Sequence, residues 1–500
     1  MLAKVAAPAS VGFDGTLVEV ECDITNGLPS FVVVGLGNKA VDEARDRVRS
    51  AIRNSKLLVP PKRITLNLAP ADLPKDGTAY DVSIAVAILV ASEQIEPVAD
   101  CLFIGELALD GSLRPVPGVL SYAQLAASHG ISALFVPAEN AAEAALISGI
   151  KVYGAKTLLE VYGHLMGLQP LVTANVPRLV GKIPGASQVP DFAMVYGQPE
   201  AKRALEIAAA GGHNVLLSGP PGAGKTMLSR ALIGILPPPT INEMIEVTKL
   251  HSVAGRTMGR IMTQRPFRSP HHTASDIALI GGGRVPRPGE ISLSHQGVLF
   301  LDELPEFRRE VLEVLRQPLE DGIITIARAH GVVTYPAAFM LVAAQNPCPC
   351  GYAGDLTRAC TCSLSQITRY TRKVSGPLLD RIDIVMQVGR VDPKFLQRRT
   401  AEESSAKVAK RVAAARNRQK RRLSRTAPLN ARLNNQQLNK IAKLSPEALA
   451  FARSALQAHN LSVRAYMRMI KVARSIADLE GSATILPAHV GEALRYRPAI

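Results

Sequence analysis

The run Gly219-Pro220-Pro221-Gly222-Ala223-Gly224-Lys225-Thr226 carries the residue types that bind a nucleoside triphosphate. Glycines let backbone N–H groups close around phosphate oxygens, and a helix starting at the end of the run adds its positive dipole end. Lys225 would reach the β and γ phosphates, and Thr226 would ligate magnesium. An apolar strand at 214–218 precedes the run and a helical pattern at 227–234 follows it, the context such a loop requires. ATP and Mg2+ are therefore the expected cofactors. Further along, Gly297-Val-Leu-Phe-Leu-Asp302-Glu303 is an apolar strand that ends in two carboxylates. Asp302 is expected to hold magnesium through water, and Glu303 to polarise the attacking water. A third apolar strand at 339–344 leads to Asn346, whose amide is suited to orient that water.

Four of the six cysteines, Cys348, Cys350, Cys360 and Cys362, fall within fifteen residues. Four thiolates from two short loops suit tetrahedral Zn2+, although the C-x-C spacing is tighter than the usual C-x-x-C. Reduced thiols packing a loop are the other reading. Cys22 and Cys101 stand alone and read as core residues. His271 and His272 are adjacent, so on a strand they would point to opposite faces. A turn or a DNA-facing role suits them better than a shared metal.

These residues need a scaffold, and 500 residues exceed what one core usually supports. Hydrophobic residues make up 47% and charged ones 20%, values of a folded chain rather than a disordered one. No apolar stretch approaches the roughly 18 residues that span a bilayer, so no membrane partner is expected. The N-terminus lacks the unbroken apolar segment of a secretion signal. Six cysteines in this length exclude a disulfide scaffold, and a cytoplasmic location is expected. The net charge of +16 is uneven: residues 401–500 hold 19 basic and 6 acidic side chains. Residues 407–425 alone carry nine basic residues and no acidic one, which suggests a polyanionic partner. Aromatics are scarce at 4%, so contact with a phosphate backbone is favoured over base stacking.

The pattern predicts an α/β fold in four parts. Residues 1–167 alternate strands (16–25, 31–36, 64–68, 134–137, 151–153) with helices (41–54, and a buried one at 81–92). Residues 168–191, with four prolines, read as a linker. Residues 192–395 form a second α/β region, and 396–500 are helical and basic.

Within the second region, Ser375-Gly-Pro-Leu-Leu-Asp-Arg381-Ile-Asp383 resembles the AAA+ ATPases of the magnesium-chelatase-like branch, which includes the minichromosome-maintenance helicases. The resemblance implies that Arg381 is an arginine finger given to a neighbouring subunit, and hence a ring. Leu461-Ser-Val-Arg464-Ala-Tyr-Met-Arg468 looks like the sensor-2 helix of a helical lid, with Arg464 facing the nucleotide.

Longer strings sharpen the match: Gly197-Gln198, Ala208-Ala-Ala-Gly-Gly-His-Asn214, Phe267-Arg-Ser-Pro-His-His-Thr-Ala-Ser275, Gly281-Gly-Gly, Pro288-Gly-Glu-Ile-Ser292 and Asn346-Pro-Cys-Pro-Cys-Gly351. They resemble the YifB/ComM family over essentially the whole chain. Such a resemblance implies a hexameric helicase that promotes branch migration in natural transformation, with single-stranded and branched DNA as partners. Leu73-Pro-Lys-Asp-Gly-Thr-Ala79-Tyr80 is similar to the nucleophile segment of Lon-type proteases. Alanine replaces the serine there, which removes the nucleophile and implies a Lon-like fold without peptidase activity.

Two insertions in the ATPase region, at 265–287 and 322–335, read as candidates for the channel hairpins of the related helicases. Arg284, Arg287, Arg328 and His330 are the candidate DNA-backbone contacts. Two other functions share parts of this pattern: a chelatase-type motor subunit, and a Lon-like regulator or chaperone of proteins.

Overall fold

The computed structural model describes residues 2–497 apart from 35–38, 71–77, 177–188, 258–259, 284–285, 329–330, 356, 392–401 and 424–428. Half of the linker read at 168–191, the segment Leu73–Gly77, and the DNA candidates Arg284 and His330 lie outside the described residues, as does the side chain of Arg328.

A seven-stranded sheet is built from the first part of the chain. Its order is Ser30–Val34, Arg63–Ala69, Asp14–Thr25, Leu2–Val11, Cys101–Phe103, Ala133–Pro137 and Lys151–Ala155. Alternating burial along Asp14–Thr25 matches its alternating sequence, since successive side chains point to opposite faces. Helix Asp81–Ala91 is buried at every position, as its lack of a polar face requires. Leu2–Val11 sits mid-sheet although its Ala-rich sequence carries little strand signal. The strand read as fully apolar at 31–36 is Ser30–Val34, and Val32 and Val34 stand 38% and 49% exposed on its one open face. Cys22 is fully buried in this core, and burial pushes its thiol up to about 12.

The second sheet is entirely parallel, in the order Phe267–Arg268, Val298–Leu301, Met340–Gln345, Val215–Ser218 and Ile384–Gln387. Its central strands are apolar throughout and covered on both faces, as parallel sheets require. Register brings Ser218 opposite Gln345 and Leu301 opposite Ala343. Three strand ends therefore open at one edge of the sheet, the place where α/β sheets bind ligands.

Residues 265–287 are only partly an insertion. They begin with Phe267–Arg268, the edge strand of the core sheet itself, and only Gly281–Gly282 pairs with Arg287–Pro288 as a hairpin. Two residues are too few to carry a sequence pattern. The second hairpin forms as read, with Ile323–Arg328 antiparallel to Gly331–Pro336.

The helical end shows how the basic run is packed. Helix Ser405–Leu423 packs against helix Pro199–Gly211, and much of its charge is used there. Arg411 pairs with Glu206 and Glu403. Arg416 is buried and donates to the Ala209 carbonyl at 2.9 Å. Arg418 donates to the Asp478 carbonyl at 2.7 Å, and Arg422 pairs with the Asp478 carboxylate. Acids distant in sequence neutralise a run that looks uncompensated locally. Lys410, Lys420 and Arg421 stay exposed.

The two α/β units touch through Lys249, which pairs with Asp14 at 2.8 Å and lies 3.9 Å over the Phe13 ring. Nearby, the Gly118 N–H donates to Ser252 Oγ at 2.9 Å. Glu143 is buried beside this contact with one carboxylate oxygen unpartnered, and burial pushes it up to about 7.

Candidate nucleotide-hydrolysis site

Residues 219–226 leave the end of strand Val215–Ser218 and run directly into helix Lys225–Ala231. The helix starts two residues earlier than the sequence pattern places it. Gly222 and Gly224 have φ of 79° and 85°, conformations that favour glycine. At Gly219 a Cβ would lie 2.1 Å from the Val388 carbonyl oxygen, so only glycine fits. Ala223 is buried, and Pro221 is exposed. Lys225 is buried against the loop it serves. Its Nζ donates to the carbonyls of Gly219 at 2.6 Å and Pro220 at 3.0 Å, and to Asn346 Oδ1 at 3.1 Å. Desolvation lowers its pKa, and the charges of Asp302 and Glu303 act against that shift.

Thr226 Oγ1 donates to Asp302 Oδ2 at 2.9 Å. A hydroxyl and a carboxylate in direct contact fit a magnesium ion that both would ligate; such an ion would neutralise phosphate charge. Asp302 Oδ1 also accepts the Glu303 N–H at 3.0 Å, which separates the two acids. Glu303 has φ of 52°, and this left-handed turn carries its carboxylate to His272, whose Nδ1 is 3.4 Å from Glu303 Oε2.

His272 is a site residue that sequence reasoning missed. The rings of His271 and His272 lie 4.1 Å apart in a turn, as expected, but His272 faces Glu303. The only local signal was its place just after the edge strand.

The cysteines converge. Cys348 Sγ lies 3.3 Å from Cys350 Sγ and 3.6 Å from Cys360 Sγ, and all four Sγ atoms, with Cys362, fall within 4.8 Å of one another. A tetrahedral zinc with Zn–S bonds of about 2.3 Å separates its sulfurs by about 3.8 Å, so the cluster fits a structural zinc. Backbone N–H groups of Thr361 and then Tyr352 hold the Cys350 thiol down at about 5. This loop touches the phosphate loop: a Cβ on Gly351 would lie 2.6 Å from Pro221 Cδ.

Arg381 and Arg464 depart from expectation. Arg381 is 8% exposed, donates to the Pro377 carbonyl at 2.6 Å and pairs with Glu320. Its guanidinium is thus folded onto its own chain, with Nε buried and unpartnered, rather than held out for a neighbour. Arg464 acts on Glu320 and Arg468, whereas the charges acting on Lys225 are those of Asp302 and Glu303. Both arginines thus act on the Glu320 carboxylate.

Three family models cover this architecture: "Magnesium chelatase, subunit ChlI" at residues 191–396, "Subunit ChlI of Mg-chelatase" at 20–140, and "Magnesium chelatase, subunit ChlI C-terminal" at 402–497. The chain is 46% identical to competence protein ComM of Haemophilus influenzae, over 100% of this chain and 98% of that protein. It belongs to the YifB/ComM family. A YifB of Salmonella typhimurium is likewise 46% identical, over 99% of this chain and 97% of that protein.

YifB/ComM membership makes the parallel-sheet unit a magnesium-chelatase-like AAA+ ATPase unit. A shorter likeness, 26% over 133 residues, is to a Lon protease of Solibacter usitatus and covers 25% of this chain. In the YifB/ComM chain Ala79 is buried in an apolar cluster with Leu102, Ile104 and Tyr122. Among the described residues no helix is long and apolar enough to cross a membrane.

Proposed function

We propose that this chain is an ATP-driven DNA motor that works as a hexameric ring and promotes branch migration of incoming DNA during natural transformation. One observation carries the reading: similarity to a protein named for competence runs the full length of the chain, through the N-terminal unit as well as the ATPase. In this reading Lys225 and residues 219–224 hold ATP, Thr226 and Asp302 hold Mg2+, Glu303 polarises water and Asn346 orients it. Arg381, with Arg464 beside it, acts on the nucleotide of the next subunit after leaving Glu320. Zinc on Cys348, Cys350, Cys360 and Cys362 braces the loop behind Asn346. The candidates for contact with single-stranded and branched DNA are Arg284, Arg287, Arg328 and His330.

Residues 1–167 are read as a Lon-like unit without peptidase chemistry, joined by 168–191 to the ATPase at 192–395 and the helical lid at 396–500. A cytoplasmic setting suits these partners. The test is ATP hydrolysis by purified protein with and without DNA, together with movement of a synthetic four-way junction. Hydrolysis indifferent to DNA, with the junction left intact, would overturn the reading. A chelatase-type motor subunit, which the family descriptions favour, would then be tested by magnesium insertion into a porphyrin with partner proteins.

A further inference from the structure

A groove of about 740 Å³ opens beside the hydrolytic carboxylates, between the segment that follows Glu303 and helix Leu364–Thr371 with its C-terminal turn. Its composition is one-sided. Arg309 stands on one wall, and Arg369, Arg372 and Lys373 on the other. Glu306 is the one acid that lines it, and Glu306 is already paired with Lys373 at 3.1 Å. Arg309, Arg369 and Arg372 are exposed, and among the described residues none has an acidic partner within ion-pair distance.

The helix is organised for this. Ser365, Thr368, Arg369 and Arg372 fall at spacings of three, one and three, which is one face of an α-helix. All four line the groove, and Tyr370 on the opposite face is buried. The lining face offers two guanidiniums beside the Ser365 hydroxyl, while Thr368 Oγ1 donates to the Leu364 carbonyl and buried Phe307 closes the groove.

We propose that this groove binds the phosphodiester backbone of single-stranded DNA. The guanidiniums of Arg309, Arg369 and Arg372 carry N–H donors suited to phosphate oxygens. A concave groove of this size admits one strand, whereas a duplex presents a convex surface too broad to enter. The donors match a backbone rather than bases, in a chain with few aromatics for stacking. The position gives the contact a consequence. Phe307 lies edge-on to His272 at 6.4 Å between ring centroids, and His272 contacts Glu303. A strand in the groove therefore lies one packed ring from the residue pair that holds the hydrolytic acid.

This rests on the DNA-motor reading, and the two fail differently. The probe is a labelled single-stranded oligonucleotide of mixed sequence, and the measurement is its Kd against salt concentration for the full chain with ATP bound. Each phosphate contact contributes about 0.7 to the slope of log affinity against log salt for single strands. The variant Arg369→Ala/Arg372→Ala should lose about 1.4 from that slope and bind mixed-sequence and oligo-dT strands with equally reduced affinity. Arg369→Lys/Arg372→Lys, which keeps both charges, should restore the slope. Both positions are exposed, and retained ATP binding checks that the variants are folded.

An unchanged slope in the alanine variant overturns the groove while leaving the motor intact. Lost ring assembly with an unchanged slope also overturns it, and makes this face a contact between copies. Wild-type protein with no salt-dependent affinity for single strands removes the motor reading, and the groove with it.

Discussion

The imidazole Nδ1 of His272 lies 3.4 Å from Oε2 of Glu303, although thirty residues separate them in the chain. Thr226 and Asp302, 2.9 Å apart, are the proposed magnesium-binding pair, and Glu303 is not part of that contact. Glu303→Gln should therefore bind ATP-Mg normally. Turnover should fall by about 10²–10⁴-fold, the usual value of a positioned general base. Nucleotide titration beside steady-state hydrolysis separates the two quantities, and wild-type turnover would remove Glu303 from the mechanism.

Arg381 offers a test of the ring. An arginine finger is worth about 10³–10⁵ in rate, so Arg381→Ala should bind ATP yet fail to hydrolyse it. Mixed with Lys225→Ala chains, which keep Arg381, it should recover partial activity at interfaces that join an intact Lys225 to an intact Arg381. Wild-type hydrolysis by Arg381→Ala alone under assembling conditions would exclude it, and Arg372 and Lys373 would be the next residues to examine.

Metal analysis of protein purified under reducing, chelator-free conditions should find about one zinc per chain. Cys350→Ser should lose it. Because Gly351 packs on Pro221 of the phosphate loop, removing zinc with a chelator should also weaken ATP binding. Protein that contains no zinc would leave the four thiols as loop packing.

Glu143 predicts a pH effect on stability that is independent of catalysis. Burial raises its folded pKa to about 7 from the ordinary glutamate value of 4.5, so the folded chain holds its proton more tightly than the unfolded one. Stability is then highest below about 4.5 for this group and falls as pH rises through 7. The shift corresponds to about 3 kcal/mol at most. Glu143→Gln should melt at a higher temperature than wild type at pH 8, with the gap closing toward pH 5. Equal melting at pH 8 would contradict the assignment.

Gly219→Ala should lose ATP binding and lower the melting temperature together. The added Cβ would lie 2.1 Å from the Val388 carbonyl oxygen, and backbone must move to relieve that. A variant that binds ATP like wild type would show the loop to be more tolerant than its packing.

What the sequence determined by itself was local chemistry with a fixed spacing. Residues 219–226 need only their own order to form a phosphate loop, since glycine conformations and a helix start are short-range properties. The apolar strands ending at Asp302 and beside Asn346 were legible for the same reason: a fully buried parallel strand is a continuous apolar run. Helix Asp81–Ala91 was legible because it has no polar face to hide. Partners set by long-range packing were not legible. Phe267–Arg268 is a core strand of two residues that has no pattern of its own, and Leu2–Val11 becomes a central strand only through its neighbours. The basic run at 407–425 gave no sign in sequence that Arg411 and Arg422 would pair with Glu206 and Asp478. Arg381 looked available until Glu320 closed on it, and His272 looked like a turn residue until the left-handed backbone at Glu303 turned the acid toward it. Charge and hydrogen-bond partners are chosen by distance in space, and that distance is fixed only when the sheets and helices have packed.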